Sequence, residues 1–72
     1  MIAYRVPTAN ELQQLLAQLD LPPLEEAGDT GTLLNKFAVA IPLRHRLAWD
    51  EVAGEHVVVT LGGKVVARAK RP

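Results

Sequence analysis

The side chains that could carry out catalysis in this chain are few, and none stands in a catalytic spacing. The sequence has no cysteine and no serine, so hydroxyl nucleophiles are limited to threonines, of which Thr8 and Thr30 precede helical patterns and Thr60 lies in a strand-like run. His45 and His56 are the only imidazoles, and neither belongs to a zinc-binding HExxH pattern. We therefore expect no catalytic residue, no metal site, no cofactor and no small-molecule substrate.

Two further groups of residues resemble functional sites but lack the geometry or the full motif of one. Asp50 and Glu51 are adjacent, and neighbouring positions of a helix diverge by about a third of a turn. Gly62, Gly63 and Lys64 match only a fragment of the phosphate-binding pattern GxxxxGK[ST], so a hairpin turn explains them better. Neither grouping indicates a catalytic site, so we do not expect the protein to be an enzyme.

Length and composition indicate one folded domain spanning residues 1–72, because 49% of the residues are hydrophobic and 22% are charged. A domain this small buries only about 60% of its unfolded surface, so a partner or a second copy would add stability. The chain has no cysteine, no signal-peptide-like start and no apolar run that could span a bilayer. We expect a cytoplasmic protein that does not act in the membrane.

Charge is distributed unevenly although its sum is zero. Residues 1–36 contain five acidic and two basic side chains, whereas residues 37–72 contain three acidic and six basic ones. The second half could therefore steer an anionic partner toward a basic surface.

The clearest local signal is a helix start at Thr8. Thr8 and Glu11 form the capping-box pattern, in which each side chain satisfies the backbone amide of the other residue. Leucines at positions 12, 15, 16 and 19 then predict an amphipathic helix. Its polar face carries Gln13, Gln14 and Gln18, which we expect to be solvated or to hydrogen-bond a partner.

A second helix is predicted to begin at Asp29 or Thr30 and to end before Pro42, with an apolar face that includes Leu33 and Phe37. Apolar residues also alternate over residues 37–43, so a strand there is the competing interpretation. Shorter elements are predicted on either side of the first helix: a strand over residues 2–6 and a helical turn over residues 23–27.

Residues 43–53 are predicted to form another helix between Pro42 and Gly54, although their amphipathic pattern is poor. The C-terminal part is predicted to be a hairpin in which Gly62 and Gly63 connect two β-rich runs. If Leu61 faces Lys64, one surface of the hairpin packs on the helices and comprises Val58, Thr60, Val65, Ala67 and Ala69. The opposite surface would then be partly exposed and would comprise Val57, Val59, Leu61, Lys64, Val66, Arg68 and Lys70.

Together these elements predict a small α+β domain with two to four short helices packed on a C-terminal β-hairpin, joined by an N-terminal third strand. The expected function is that of a non-catalytic binding or regulatory protein whose partner is another protein or a second copy. Accessory and inhibitor proteins of phages and other mobile elements include many small proteins of this kind. The predicted partner-binding residues are Trp49, Arg44, Arg46, Lys64, Val66, Arg68 and Lys70, chosen as interface-prone aromatic and basic side chains with an apolar neighbour. The alternative is a winged helix-turn-helix-like regulator that binds DNA through the basic hairpin.

Overall fold

Two helices pack on a three-stranded antiparallel sheet in the computed structural model, which describes residues 6–25 and 29–70. In chain order the elements are α1 (Ala9–Gln18), α2 (Thr30–Ala40), β1 (Arg46–Asp50), β2 (Glu55–Val59) and β3 (Val65–Ala69). The strands form a meander in the order β1-β2-β3, α1 lies against β2 and β3, and α2 packs on α1. This arrangement confirms the predicted α+β class.

The start of α1 is the predicted capping box. The Thr8 hydroxyl accepts from the Glu11 amide at 3.1 Å, and a Glu11 carboxylate oxygen accepts from the Thr8 amide at 3.1 Å. Leu12, Leu15 and Leu16 are buried, so the predicted apolar stripe forms one side of the core.

Helix α2 begins after Asp29, whose carboxylate accepts from the Thr32 amide at 2.7 Å. It continues through Phe37 to Ala40, which decides the choice between helix and strand for residues 37–40 in favour of the helix. Leu33 and Phe37 are buried against α1 and the sheet. None of the helices in the two described ranges is long and apolar enough to cross a bilayer.

The segment between the helices differs from the prediction. Residues 23–25 are not helical, and the rest of the predicted helical turn lies outside the described residues. The Gln13 side chain holds this segment against α1, because it donates to the Leu24 carbonyl at 2.9 Å and accepts from the Leu24 amide at 3.0 Å. The predicted N-terminal strand falls outside the described residues except for Val6, which is not in a strand.

The helix predicted over residues 43–53 is wrong: this stretch contains β1 and a turn. Leu47 and Trp49 pair with Val58 and His56 and share their face of the sheet, so the apolar pattern of β1 has a period of two. This period explains the poor helical amphipathicity. Gly54 closes the turn with φ +69°, and its amide donates to the Asp50 carbonyl at 2.8 Å.

The C-terminal hairpin forms with the predicted pairing of Val58 with Ala67, but its loop is longer than two residues. The Thr60 amide donates to the Lys64 carbonyl, and the Gly63 amide donates to the Thr60 carbonyl, both at 2.9 Å. Gly63 has φ +85°, as expected for the residue that closes a three-residue hairpin loop.

A bulge beside this loop displaces Val66, and two valines of β2 on the face away from the helices are buried. Val59 pairs with Val65 whereas Val58 pairs with Ala67, which leaves Val66 as an extra residue, half-buried against the core. Val57 and Val59 are only 3% and 6% exposed. The predicted partly exposed apolar strip is therefore wrong for Val57 and Val59, which are buried. Val66 is half-buried, but it packs against the core, and the helix-facing positions Val58, Ala67 and Ala69 are confirmed as buried.

Candidate partner-binding surface

Strand pairing brings three of the predicted site residues to one end of the sheet. Arg46 pairs with Val59 at the end of β2, and Val59 also pairs with Val65 at the start of β3. Lys64 directly precedes Val65, and Arg44 lies two residues before Arg46, so both lie at the same end. We call this region the basic end, and we define it by Arg44, His45, Arg46 and Lys64 together with the leucines Leu43 and Leu61.

The basic end combines positive charge with exposed apolar surface. Leu43 and Leu61 are 88% and 75% exposed, and all its bases except the half-buried His45 are exposed. Residues 41–46 and 59–65 contain no acidic side chain. Among the described residues, none of these bases takes part in an ion pair. The surface is therefore positively charged without internal compensation.

Arg44 is held there in an uncommon backbone conformation, with φ +69°. A non-glycine residue in this region costs roughly 1–2 kcal/mol relative to ordinary backbone. The turn around it is fixed by the His45 amide, which donates to the Pro42 carbonyl at 3.1 Å. Backbone strain of this type is often found at binding sites.

At the other end of the sheet, beside the β1–β2 turn, the charges are paired. We call this region the turn end and define it by residues 50–55 and Arg68. The Arg68 guanidinium lies 2.8 Å from an Asp50 carboxylate oxygen and 3.2 Å from a Glu55 carboxylate oxygen. The Arg68 hydrogen bond is the main cause that lowers the pKa of Asp50, and the two carboxylates raise the pKa of Arg68.

The remaining predicted site residues do not join the basic end. Trp49 is half-buried on the opposite sheet face from Arg46, because both residues lie in β1 and not in the predicted helix. Val66 is half-buried, and Lys70 follows the far end of β3. Arg44, Arg46 and Lys64 are the three that the fold groups together.

Glu11 and His56 form a buried polar pair close to the turn end, which was not predicted from the sequence. A carboxylate oxygen of Glu11 lies 2.6 Å from His56 Nδ1, and the two residues are 0% and 2% exposed. The Trp49 ring meets the His56 ring edge-on, with centroids 4.7 Å apart. Glu11 directly precedes the apolar Leu12, and this was the available sequence signal: an acid at the edge of a buried stripe needs a partner.

This pair is part of the core. Burial is the largest influence on Glu11 and raises its pKa, but hydrogen bonds from His56 and from Thr8 together outweigh burial and lower it. Both side chains are shielded from solvent, so the pair orients α1 on β2 and offers no open position to a substrate. Among the described residues, no group of three His, Cys, Asp or Glu side chains has the arrangement of a metal site.

The glutamines of α1 also serve the fold. Besides Gln13, the Gln18 side chain pairs with the backbone of Arg68: its amide group donates to the carbonyl, and its oxygen accepts from the Arg68 amide at 2.8 Å. This pairing covers part of the outer edge of β3, where open backbone groups would otherwise invite another strand. Gln18 is exposed, as expected for a solvated face, but the side chains of Gln13 and Gln18 both hydrogen-bond to the backbone of the chain itself.

Two concave regions adjoin α2. A cleft of about 210 Å³ lies between α2 and β1 and is lined by Leu34, Phe37, Ala38, Ile41, His45, Arg46 and Leu47. A shallower groove of about 500 Å³ lies between α2 and the preceding segment and is lined by Pro23, Leu24, Glu25, Asn35, Lys36, Val39 and Ala40. Of these two regions, the cleft includes the basic-end residues His45 and Arg46, and the groove includes none.

Comparison of the chain with protein-family models, curated proteins and solved structures finds no match. The function of the chain is therefore inferred from the residues of the basic end.

Proposed function

We propose that this protein is a non-catalytic binding module that recognises an acidic, partly apolar segment of a partner protein through the basic end. The observation that carries the proposal is the clustering of Arg44, Arg46 and Lys64 around exposed leucines without a carboxylate to compensate them in the described ranges. A protein that acts by contact alone suits an accessory or inhibitor role, such as those of phages and mobile elements.

A protein segment fits this surface better than a small molecule does. Small-molecule sites usually enclose about 300–1,000 Å³ in a largely apolar cavity. The cleft at the basic end has only about 210 Å³ and is lined by His45 and Arg46, whereas Arg44 and Lys64 lie outside its lining, on two loops at the same end of the sheet. Distributed positive charge of this kind steers a large anionic partner and increases its association rate.

The test is to pan a random peptide library, displayed on phage, against the immobilised protein. We expect enrichment of peptides rich in Asp and Glu. The enrichment should disappear with the triple variant Arg44→Glu, Arg46→Glu, Lys64→Glu, because the steering charge is reversed.

The matched control is Lys70→Glu, which reverses an exposed base beyond the far end of β3. This variant should select the same acidic peptides as the wild type. If the wild type selects no acidic peptides, or if the control loses them equally, the basic end is not the binding surface.

A second copy of the chain is an alternative partner, favoured by the groove on the outer side of α2. Val39 is 86% exposed there, beside Leu24 and between the oppositely charged Glu25 and Lys36. A two-fold interface brings the same patch of two copies together, so Glu25 of one copy would meet Lys36 of the other. Neither residue has an ion pair among the described residues of one copy.

Sedimentation velocity tests this alternative. If the groove is a dimer interface, the wild type sediments as a dimer and Val39→Glu as a monomer. The control Val52→Glu changes a fully exposed side chain in the β1–β2 turn and should leave the dimer intact. A wild type that stays monomeric at high protein concentration would exclude the dimer.

Nucleic acid is the other alternative, because phosphates also attract uncompensated bases. The winged-helix interpretation relied on the order strand, helix, short helix, helix and terminal hairpin. Residues 23–25 of the predicted short helix are not helical, and residues 43–53 add β1 and a turn before the hairpin. We therefore expect no retardation of duplex DNA, even at low salt. Retardation that weakens steeply with salt and is lost in Lys64→Ala would favour this alternative over the protein partner.

A further inference from the structure

We propose that the cleft between α2 and β1 anchors one bulky apolar side chain of the acidic partner segment, with a carboxylate of the same segment placed beside Arg46. This inference rests on the proposed function and defines the ligand more closely: a peptide in which a large aliphatic or aromatic residue stands next to Asp or Glu.

The inner wall of the cleft is apolar and already ordered. Phe37 and Ile41 are 1% and 7% exposed because they also belong to the core, and Leu34 and Leu47 are half-buried against that core. An apolar side chain that enters the cleft therefore contacts side chains whose positions are fixed by the fold. Little conformational entropy is lost on the protein side when it binds.

The size of the cleft selects the kind of ligand. At about 210 Å³ it is smaller than typical pockets for drug-sized molecules and cofactors, so it fits a single side chain. Burying one large apolar side chain improves affinity by roughly tenfold to a hundredfold.

The charge at the cleft selects the neighbour of that side chain. Arg46 lines the cleft at the start of β1, on the opposite sheet face from Leu47, and it is exposed without an ion pair among the described residues. Helix α2 ends at Ala40, and the C-terminal end of a helix disfavours an anion. The carboxylate is therefore expected on the β1 side of the cleft, beside Arg46, and the apolar group on the α2 side.

The exposed residue Ala38 allows the cleft to be filled without changing the core. Ala38→Met places a flexible apolar side chain at the cleft, and methionine is a good helix former. The control is Ala40→Met, which makes the same change on the same helix but lines the groove on the other side of α2. Both variants should keep the circular dichroism spectrum of the wild type.

The experiment is phage-display panning of the wild type and both variants, followed by affinity measurements on the selected peptides by fluorescence anisotropy. We expect the wild type and Ala40→Met to select a large apolar residue within two positions of an acidic one. Ala38→Met should lose the apolar preference, keep the acidic one, and bind the wild-type peptides at least tenfold more weakly.

The outcomes separate the two proposals. Acidic peptides without a preferred apolar neighbour, or an equal effect of both methionine variants, would overturn the anchor pocket while leaving the basic end as the binding surface. Absence of acidic selection by the wild type would overturn the proposed function itself. Replacing the apolar residue of a selected peptide with alanine should reproduce the loss seen with Ala38→Met, and unchanged affinity would contradict the pocket.

Discussion

The two ends of the sheet carry arginines in contrasting environments. At the turn end, Arg68 is held by Asp50 and Glu55, and Asp50 also accepts from the amides of the β1–β2 turn. At the basic end, the described residues provide no carboxylate for the arginines or for Lys64. Arginine therefore has a structural role at the turn end, whereas no ion pair among the described residues gives the arginines of the basic end such a role.

Strand register produces this difference. Asp50 pairs with Glu55 across β1 and β2, and Val57 pairs with Arg68 across β2 and β3, so the acids and the arginine meet on one face. No acidic residue lies in the corresponding positions at the opposite end. Charges that stabilise a fold are paired in this way, whereas charges that steer a partner are left accessible.

The largest expected effect comes from breaking the buried pair behind the turn end. Glu11→Ala removes half of the capping box and leaves His56 without its carboxylate partner, so the free energy of unfolding should fall by about 2–4 kcal/mol. Urea denaturation followed by circular dichroism measures the loss. The exposed control Glu51→Ala should change stability little, and equal stability of the two variants would show that the Glu11–His56 contact does not hold the fold.

Acid should weaken the same pair. The pKa of Glu11 is lowered in the folded state, so its contribution to stability is present above the ordinary glutamate pKa and is lost as the pH falls through the lowered value. The decline of the unfolding free energy in this acidic range should be less steep in Glu11→Gln than in the wild type. Glu51→Gln serves as the control. If the unfolding free energy of Glu11→Gln declines as steeply with acid as that of the wild type, Glu11 does not cause the acid dependence.

Two alanine variants test the contrast between the ends directly. Arg46→Ala should weaken binding of a selected acidic peptide by about tenfold, the loss of one charge-assisted contact, with unchanged stability. Arg68→Ala should lower the urea midpoint slightly and leave peptide affinity unchanged, because its charge is already paired. Anisotropy titrations give the peptide affinity of each variant, and urea denaturation gives the midpoint of each. Loss of affinity in Arg68→Ala would show that the two ends do not differ in function.

The smallest effect is expected for Lys64→Gln. Lys64 lies on the hairpin loop at the border of the basic end, and border charges mainly change the association rate and its salt dependence. Stopped-flow measurements should show association slowed by about twofold to fivefold at low salt, with the difference vanishing at high salt. A change confined to the dissociation rate would place Lys64 inside the interface.

Local patterns predicted those parts of the fold that depend on near neighbours. Thr8 and Glu11 lie three positions apart, and their capping box formed as predicted. The pairing of Val58 with Ala67 also followed from a short connection. The stretch that became β1 was predicted incorrectly although its partner strand β2 follows after residues 51–54, because a period of two in so short a stretch also resembles a weakly amphipathic helix.

The site was predicted only in part. Arg44, Arg46 and Lys64 were chosen as bases near apolar residues, but their common location depends on the register of three strands. Arg68 and Trp49 are predicted by the same reasoning, but contacts across the sheet with Asp50 and His56 give them structural neighbours. The residue type indicates what a side chain can bind. The pairing of the strands decides whether that side chain already contacts a neighbour within the fold.

The sequence by itself determined the α+β class, both helix starts, the terminal hairpin and the excess of bases in the second half, since each depends on residues close together in the chain. Tertiary structure alone decided that Glu11 meets His56 across 45 positions, that Gln18 covers the edge of β3, and that Arg46 lines an apolar cleft at the same end of the sheet as Arg44 and Lys64. The physical reason is that burial and charge compensation depend on distances in space, which are fixed only when the strands pair and the helices pack on them.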